Sequence, residues 1–372
     1  MQVLKTWTSA LALVWAGACL AASPLPDQLD AYGVLKSDGK TLTLSGNTMV
    51  YGLASPLFTD YALKFRTITL PAGAKLGYKA DAVVDLPIGT IISKTFYYAK
   101  DPKTPGGWLK SPARLTGESI DLSAYQLVET RILKRDTDGS WQANTYIWND
   151  TQTSAALRRI GLTVNGTLRD PATGESTPLQ YNVPNARQCQ TCHAVDATVG
   201  QVGIEPIGPK GRFLNLEYGY TAGKLNQLVR LGQIGTWDNL PADLAALPRN
   251  VAYADAQTGT LEARARAYAE INCAHCHNKL GDARQSGLFL TLDATGSHLG
   301  VCKQHAAAGS GGANLTFDIV PGKPDKSLLV TRMEATTGQA MMPRMGRSLV
   351  DKEGVQLLRQ WVTAMNGNCD VR

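Results

Sequence analysis

The chain has 372 residues, 44% of them hydrophobic and 18% charged, with Lys+Arg 37 against Asp+Glu 31 and a formal net charge of +6. A chain of that length and hydrophobicity buries a core, which excludes disorder over most of it. The modest charge, with no Lys/Arg-rich run, excludes a nucleic-acid binder as the default and suits a surface that meets acidic or mixed redox partners.

The first element is an export signal. Lys5 precedes an apolar run over residues 7–18, followed by the small-residue stretch Cys19-Leu20-Ala21-Ala22-Ser23. About 12 apolar residues are too few for a bilayer core that needs about 20, so residues 1–22 read as a signal peptide rather than a membrane helix. Cys19 stands where a lipoprotein carries its lipidated cysteine, whereas cleavage after Ala21 or Ala22 removes it. The mature chain is expected in the periplasm or envelope, with the membrane reached only through that possible lipid anchor.

Residues 23–185 carry strand and turn signals. The segment YQLVETRILKR, the turn Asp136-Thr137-Asp138-Gly139 and WQANTYIW alternate as an antiparallel hairpin should, and Asn165-Gly166 marks a second turn. A sandwich or partly open barrel is expected here. Residues 186–255 are rich in Gly, Pro and Asn and read as a loop-rich connector with one helix near residues 222–231. From residue 256 the pattern turns helical. Leu261, Ala265, Tyr268 and Ile271 recur at helical spacing behind the N-cap Thr260, and Asp351 can cap a helix carrying Val355, Leu358, Val362 and Met365. The expected fold class is therefore α+β multidomain, with an antiparallel β-rich N-terminal domain and an all-α domain over residues 256–372.

Two short motifs carry the chemistry. Cys189-Gln190-Thr191-Cys192-His193 and Cys273-Ala274-His275-Cys276-His277 each spell C-x-x-C-H, the attachment signature of c-type haem. Two thiols so spaced reach the vinyl groups on one edge of a haem while the next imidazole becomes the proximal iron ligand. A four-cysteine zinc site, a thioredoxin-like dithiol or two disulfides would use the same thiols but give no reason for a histidine after each second cysteine. The four motif cysteines leave Cys302 and Cys369 as an even pair in an oxidising compartment, so a disulfide between them is expected.

The sixth ligand separates electron carriers from sites that bind small molecules. For the second haem it is expected from Met342, 65 residues after His277 and directly before Pro343, with Met345 and then Met341 behind it. The alternative use of these methionines is packing against the macrocycle. The first haem lacks a nearby methionine, since none occurs between Met49 and Met333, leaving His298, His305, Met333 and Lys210 as distant donors. Both histidines read more simply as surface groups, and His275 as exposed or near a propionate. Lys210, Arg212, Arg264 and Arg266 could pair with propionates or an acidic partner, with a solvated helix face as the plainer reading of the last two. Trp148, Trp237 and Trp361 read as core aromatics.

Residues 260–366, with the helix into the second motif, the Met342-Pro343 turn and the closing helix, resemble a class I cytochrome c domain. More narrowly, the segments SPLFTDYALKFR, TYIWNDTQT, VPNARQCQTCH, PIGPKGR, ARAYAEINCAHCHN, DIVPGKPDKSLLVTRM and MMPRMGRSLVDKEGV resemble a bacterial family of two-haem c-type cytochromes without an assigned physiological role. The resemblance runs over most of the mature chain. It implies two covalent c-type haems and a redox function, and as possible partner a parallel β-helix repeat protein. The resulting expectation is an exported carrier that passes electrons between periplasmic redox proteins. The alternative is a dihaem peroxidase-type enzyme with an open position on the first haem. With either, the β-rich half could serve as a binding module that localises the chain.

Overall fold

The computed structural model describes residues 25–112, 115–194, 203–305 and 314–369. The expected export signal over residues 1–22, with Lys5 and Cys19, lies outside these residues. Sixteen strands follow in chain order. They begin with β1 (Leu35–Ser37), β2 (Thr41–Leu44), β3 (Thr48–Tyr51), β4 (Leu63–Thr69), β5 (Lys75–Leu76) and β6 (Ile91–Lys100). Next come β7 (Trp108–Leu109), β8 (Ser119–Asp121), β9 (Tyr125–Arg135), β10 (Trp141–Trp148), β11 (Ala155–Leu157), β12 (Leu162–Arg169) and β13 (Ser176–Val183). After helix α1 (Ala186–His193) and the short α2 (Gly211–Leu214) come β14 (Glu217–Tyr220), β15 (Gly223–Asn226), α3 (Gln227–Ile234) and β16 (Thr236–Trp237). Three helices close the chain: α4 (Leu261–Ala269), α5 (Leu328–Glu334) and α6 (Lys352–Ala364).

Nine strands form one sheet in the order β11-β10-β9-β6-β7-β12-β13, with β4 paired to β6 and β3 to β4. The β9/β10 hairpin aligns Arg135 with Trp141 around the Asp136–Gly139 turn, where Gly139 takes φ 83° and so favours glycine. Asn165-Gly166 is not a turn. It lies inside β12, paired to Gln180 and Leu179, and a Cβ on Gly166 would stand 2.6 Å from the Trp108 ring. That glycine makes room for an indole in mid-strand. Residues 217–226 are likewise a hairpin rather than helix, and the expected helix begins only at Gln227, capped by the Asn226 side chain.

The all-α C-terminal domain is a correction. Among the described residues the fold is mostly β and about 20% helical, and the longest α-helix has 13 residues. Helical spacing at α4 and α6 is real, with Thr260 and Asp351 as N-caps, but between them only the short α5 is α-helical among the described residues. There the chain turns repeatedly at positive-φ Gly287, Gly296, Gly300 and Gly322 and makes isolated bridges, Val301 to Ile319 and Phe317 to Ser327. A disulfide ties Cys302 to Cys369 across this region, with their Cα atoms 5.2 Å apart.

Three apolar clusters hold the molecule. One joins the sheet to α3, a second lies under Phe96, Tyr98, Trp108 and Tyr181, and a third gathers α4, α5 and α6 around Trp361 and Leu358. Trp148, Trp237 and Trp361 all pack in or against these clusters. The C-terminal region is bolted to the sheet by polar contacts. Asp60 accepts from Ser348 N (2.8 Å) and Leu349 N (2.8 Å), Tyr61 Oη donates to Glu353, and Phe58 N donates to Asn272 Oδ1 (2.7 Å).

Candidate functional site

Each C-x-x-C-H motif is presented by a helix end. Asn185 and Gln188 form a reciprocal capping box that starts α1, so Cys189 and Cys192 stand on successive turns and His193 ends the helix. In the second motif, α4 runs into a π-helical turn over Glu270–Ala274, the kind of widened turn that recurs at functional sites. His277 N then bonds back to Cys273 O (2.9 Å), closing the loop between the thiols and the imidazole.

Both motif histidines are oriented alike. His193 Nδ1 lies 2.7 Å from Glu205 O and His277 Nδ1 lies 3.2 Å from Leu288 O. A carbonyl at Nδ1 holds the proton there and leaves the Nε2 lone pair for a metal. Burial pushes both imidazoles down to about 4, so both are neutral near pH 7.

The fold brings the two motifs together. Cys192 Sγ, a His275 ring nitrogen and Cys276 Sγ lie within 4.8 Å of one another, and Cys276 Sγ sits 3.5 Å from Thr191 O. The hydrogen bond from Cys276 holds the Cys192 thiol well below its usual range, while sharing that bond raises Cys276. Burial raises the first thiols, Cys189 and Cys273, the latter to about 12. His275 therefore faces the junction rather than open solvent, with a buried Nδ1 that has no hydrogen-bond partner among the described residues. Its position inside a motif already holding two cysteines and a histidine was the available signal.

A cavity of about 320 Å³ opens beside the second motif. Cys273, Cys276 and His277 line it together with Met333, Met342 and Met345, whereas Met341 is not among its lining residues. Arg347, 5% exposed, fixes the methionine loop: its guanidinium donates to Met342 O (2.7 Å), Ala335 O (2.7 Å), Leu349 O (3.0 Å) and Met333 O (3.1 Å). His305 also lines this cavity, with Nε2 2.8 Å from Leu315 O, while His298 is exposed and stacked on Phe289.

Beside the first motif are two smaller cavities of about 70 and 90 Å³. Cys189, His193, Lys94 and Arg131 border both, and Arg66 borders the first. Lys210 and Arg212 do not face the motifs. They bind Glu270 at 2.9 and 3.7 Å, and Arg212 also reaches Asp81. Arg266 is no solvated helix residue either: it is 8% exposed and donates to Thr291 O, Leu292 O and Ala294 O.

The donors at both motifs suit a covalently attached c-type haem: two thiols at the required spacing and an imidazole with Nδ1 engaged. At the second motif the larger cavity adds space, and Met333, Met342 and Met345 in its lining are candidate thioether donors. Comparison with protein-family models, curated proteins and solved structures finds no match.

Proposed function

We propose that this chain is an exported two-haem c-type cytochrome that passes electrons between redox partners. The observation that carries the reading is the convergence of two C-x-x-C-H motifs at one place, with both imidazoles held in the tautomer that frees Nε2. A c-type haem, when bound, holds one electron at its iron.

The chain's own residues do the rest. Cys189 and Cys192, and Cys273 and Cys276, are the covalent tethers; His193 and His277 offer Nε2 as axial donors. Met342 offers a thioether at the second site, which favours the reduced metal and raises its potential. Cys192 and Cys276, the second thiols of each pair, are neighbours, so the two tethers meet at His275 and electrons have a short path between sites. The Cys302–Cys369 disulfide supports an oxidising compartment.

The same junction favours one further reading: Cys192, Cys276 and His275 form a soft S₂N donor set for zinc or copper. One preparation separates the two. Full-length protein from a host competent in haem maturation should keep its red colour through denaturation and acidified acetone, carry two irons per chain, and lose one with Cys189→Ala and Cys192→Ala together. Colourless protein carrying zinc or copper would overturn the cytochrome reading. Low-spin spectra for both irons support a carrier, and peroxide turnover would support the peroxidase alternative instead.

A further inference from the structure

In β4, β6 and β9 the register places Arg66 opposite Lys94 and Lys94 opposite Arg131. Directly opposed residues share a face, so three cations lie side by side across the sheet, an arrangement that like-charge repulsion disfavours. Arg66 is also withdrawn from water, and Lys94 and Arg131 are half-buried. Arg66 is 7% exposed, and burial lowers its pKa from the ordinary guanidinium value. One carboxylate is close, and it is taken: Arg131 donates to Glu129 through Nε (3.0 Å) and Nη2 (2.5 Å). Among the described residues no carboxylate forms an ion pair with Arg66 or Lys94; Arg66 has the neutral tyrosines Tyr51, Tyr97 and Tyr218 near it, and Lys94 feels only the Glu129 carboxylate that Arg131 already holds.

A charge held out of water without a partner is costly, and in this row Arg66 is buried and neither it nor the half-buried Lys94 has an ion-pair partner among the described residues. Arg66, Lys94 and Arg131 line one cavity with Cys189 and His193, so the missing anion belongs beside the first motif. We infer that Arg66, Lys94 and Arg131 form a carboxylate-binding site on the sheet floor, adjoining the first C-x-x-C-H motif. The carboxylates have two sources. They are the propionates of a haem tethered at Cys189 and Cys192, which rests on the reading above, or they belong to a free organic acid, which does not.

The test uses full-length protein from the maturation-competent host. With propionates in the site, Arg66→Met and Lys94→Met each lower the midpoint potential of one haem and shift its propionate bending bands, while Arg66→Lys restores both. With a free acid, acetate or succinate raises the melting temperature of the wild type saturably and leaves Arg66→Met unmoved. The acid titration, with Arg66→Met as its control, works on colourless protein, so it reads out even if haem attachment fails. The inference is overturned if both methionine variants melt at or above the wild type with unchanged potentials and the acids have no effect. That pattern is what simple relief of repulsion produces.

Discussion

Replacing Arg347 with leucine should separate the position of Met342 from its identity. The guanidinium donates to the carbonyls of Met342, Ala335, Leu349, Met333 and Arg332, tying the end of α5 to the methionine loop that follows it. A hydrogen bond to a charged group contributes roughly 1.5–3 kcal/mol, but five cannot be summed, because each carbonyl keeps a second lone pair and leucine regains apolar burial. Breaking a buried charged network typically costs about 3–5 kcal/mol, and that is the expected loss here. Urea denaturation followed by circular dichroism measures it. On the proposed two-haem reading, the informative second readout is a methionine-to-iron band in the oxidised protein, which should vanish in Arg347→Leu although Met342 is intact, with the midpoint potential falling. Arg347→Lys, a point charge that cannot reach all five oxygens, should fall between. A leucine variant with unchanged stability and an unchanged band would refute the assignment of Arg347 as the residue that positions the thioether.

Burial holds the Asp60 carboxyl above its ordinary 3.8. A raised folded pKa contributes stability that is complete below the ordinary value and is lost as pH rises through the raised one, so Asp60→Asn should flatten the fall in urea midpoint as pH rises above about 4; an unchanged slope would remove Asp60 as its source. Cys302→Ser with Cys369→Ser opens a link of sequence separation 67 and should cost about 4 kcal/mol. Reductant should lower the wild-type midpoint to match, and a midpoint indifferent to reductant would contradict this. Gly354→Ala sets two effects against each other: alanine gains up to ~1 kcal/mol of helix propensity in α6. Its Cβ would overlap the buried Tyr268 ring, and overpacking costs about 1–3 kcal/mol, so net destabilisation is expected in a melting experiment.

What could be read from residues alone follows the range of the interactions involved. Caps and tight turns act within four residues, so Thr260, Asp351 and the Asp136–Gly139 hairpin were visible in the chain. The motif residues were visible for the same reason. Asn165-Gly166 misled because its glycine answers to Trp108, which lies far away in sequence. Arg266 misled because helical spacing said nothing of the carbonyls at 291–294 that surround its guanidinium. The all-α expectation failed where two well-capped helices were extended through a glycine-rich stretch that the chain fills with turns and bridges. The cation row carried a faint signal, lysine and arginine alternating with apolar residues in LKFR and ISK. Only the pairing register turns that alternation into three adjacent charges.

The placement of that row also bears on the role of the β-rich half. A detachable binding module would leave the motifs with complete surroundings when removed. Instead β4, β6 and β9 supply Arg66, Lys94 and Arg131 to the wall beside Cys189 and His193, and Asp60, Phe58 and Tyr61 anchor the loop and helices behind the second motif. Deleting residues 24–180 would therefore strip charged groups from one site and expose Ser348 N, Leu349 N and Asn272 at the other. Backbone donors exposed in this way loosen the segment that Arg347 ties to Met342, so the deletion should alter the second site's spectrum as well as abolish the first's. An unperturbed second-site spectrum in the truncated chain would show that the two halves stand apart, and the sheet would then return to being a docking module.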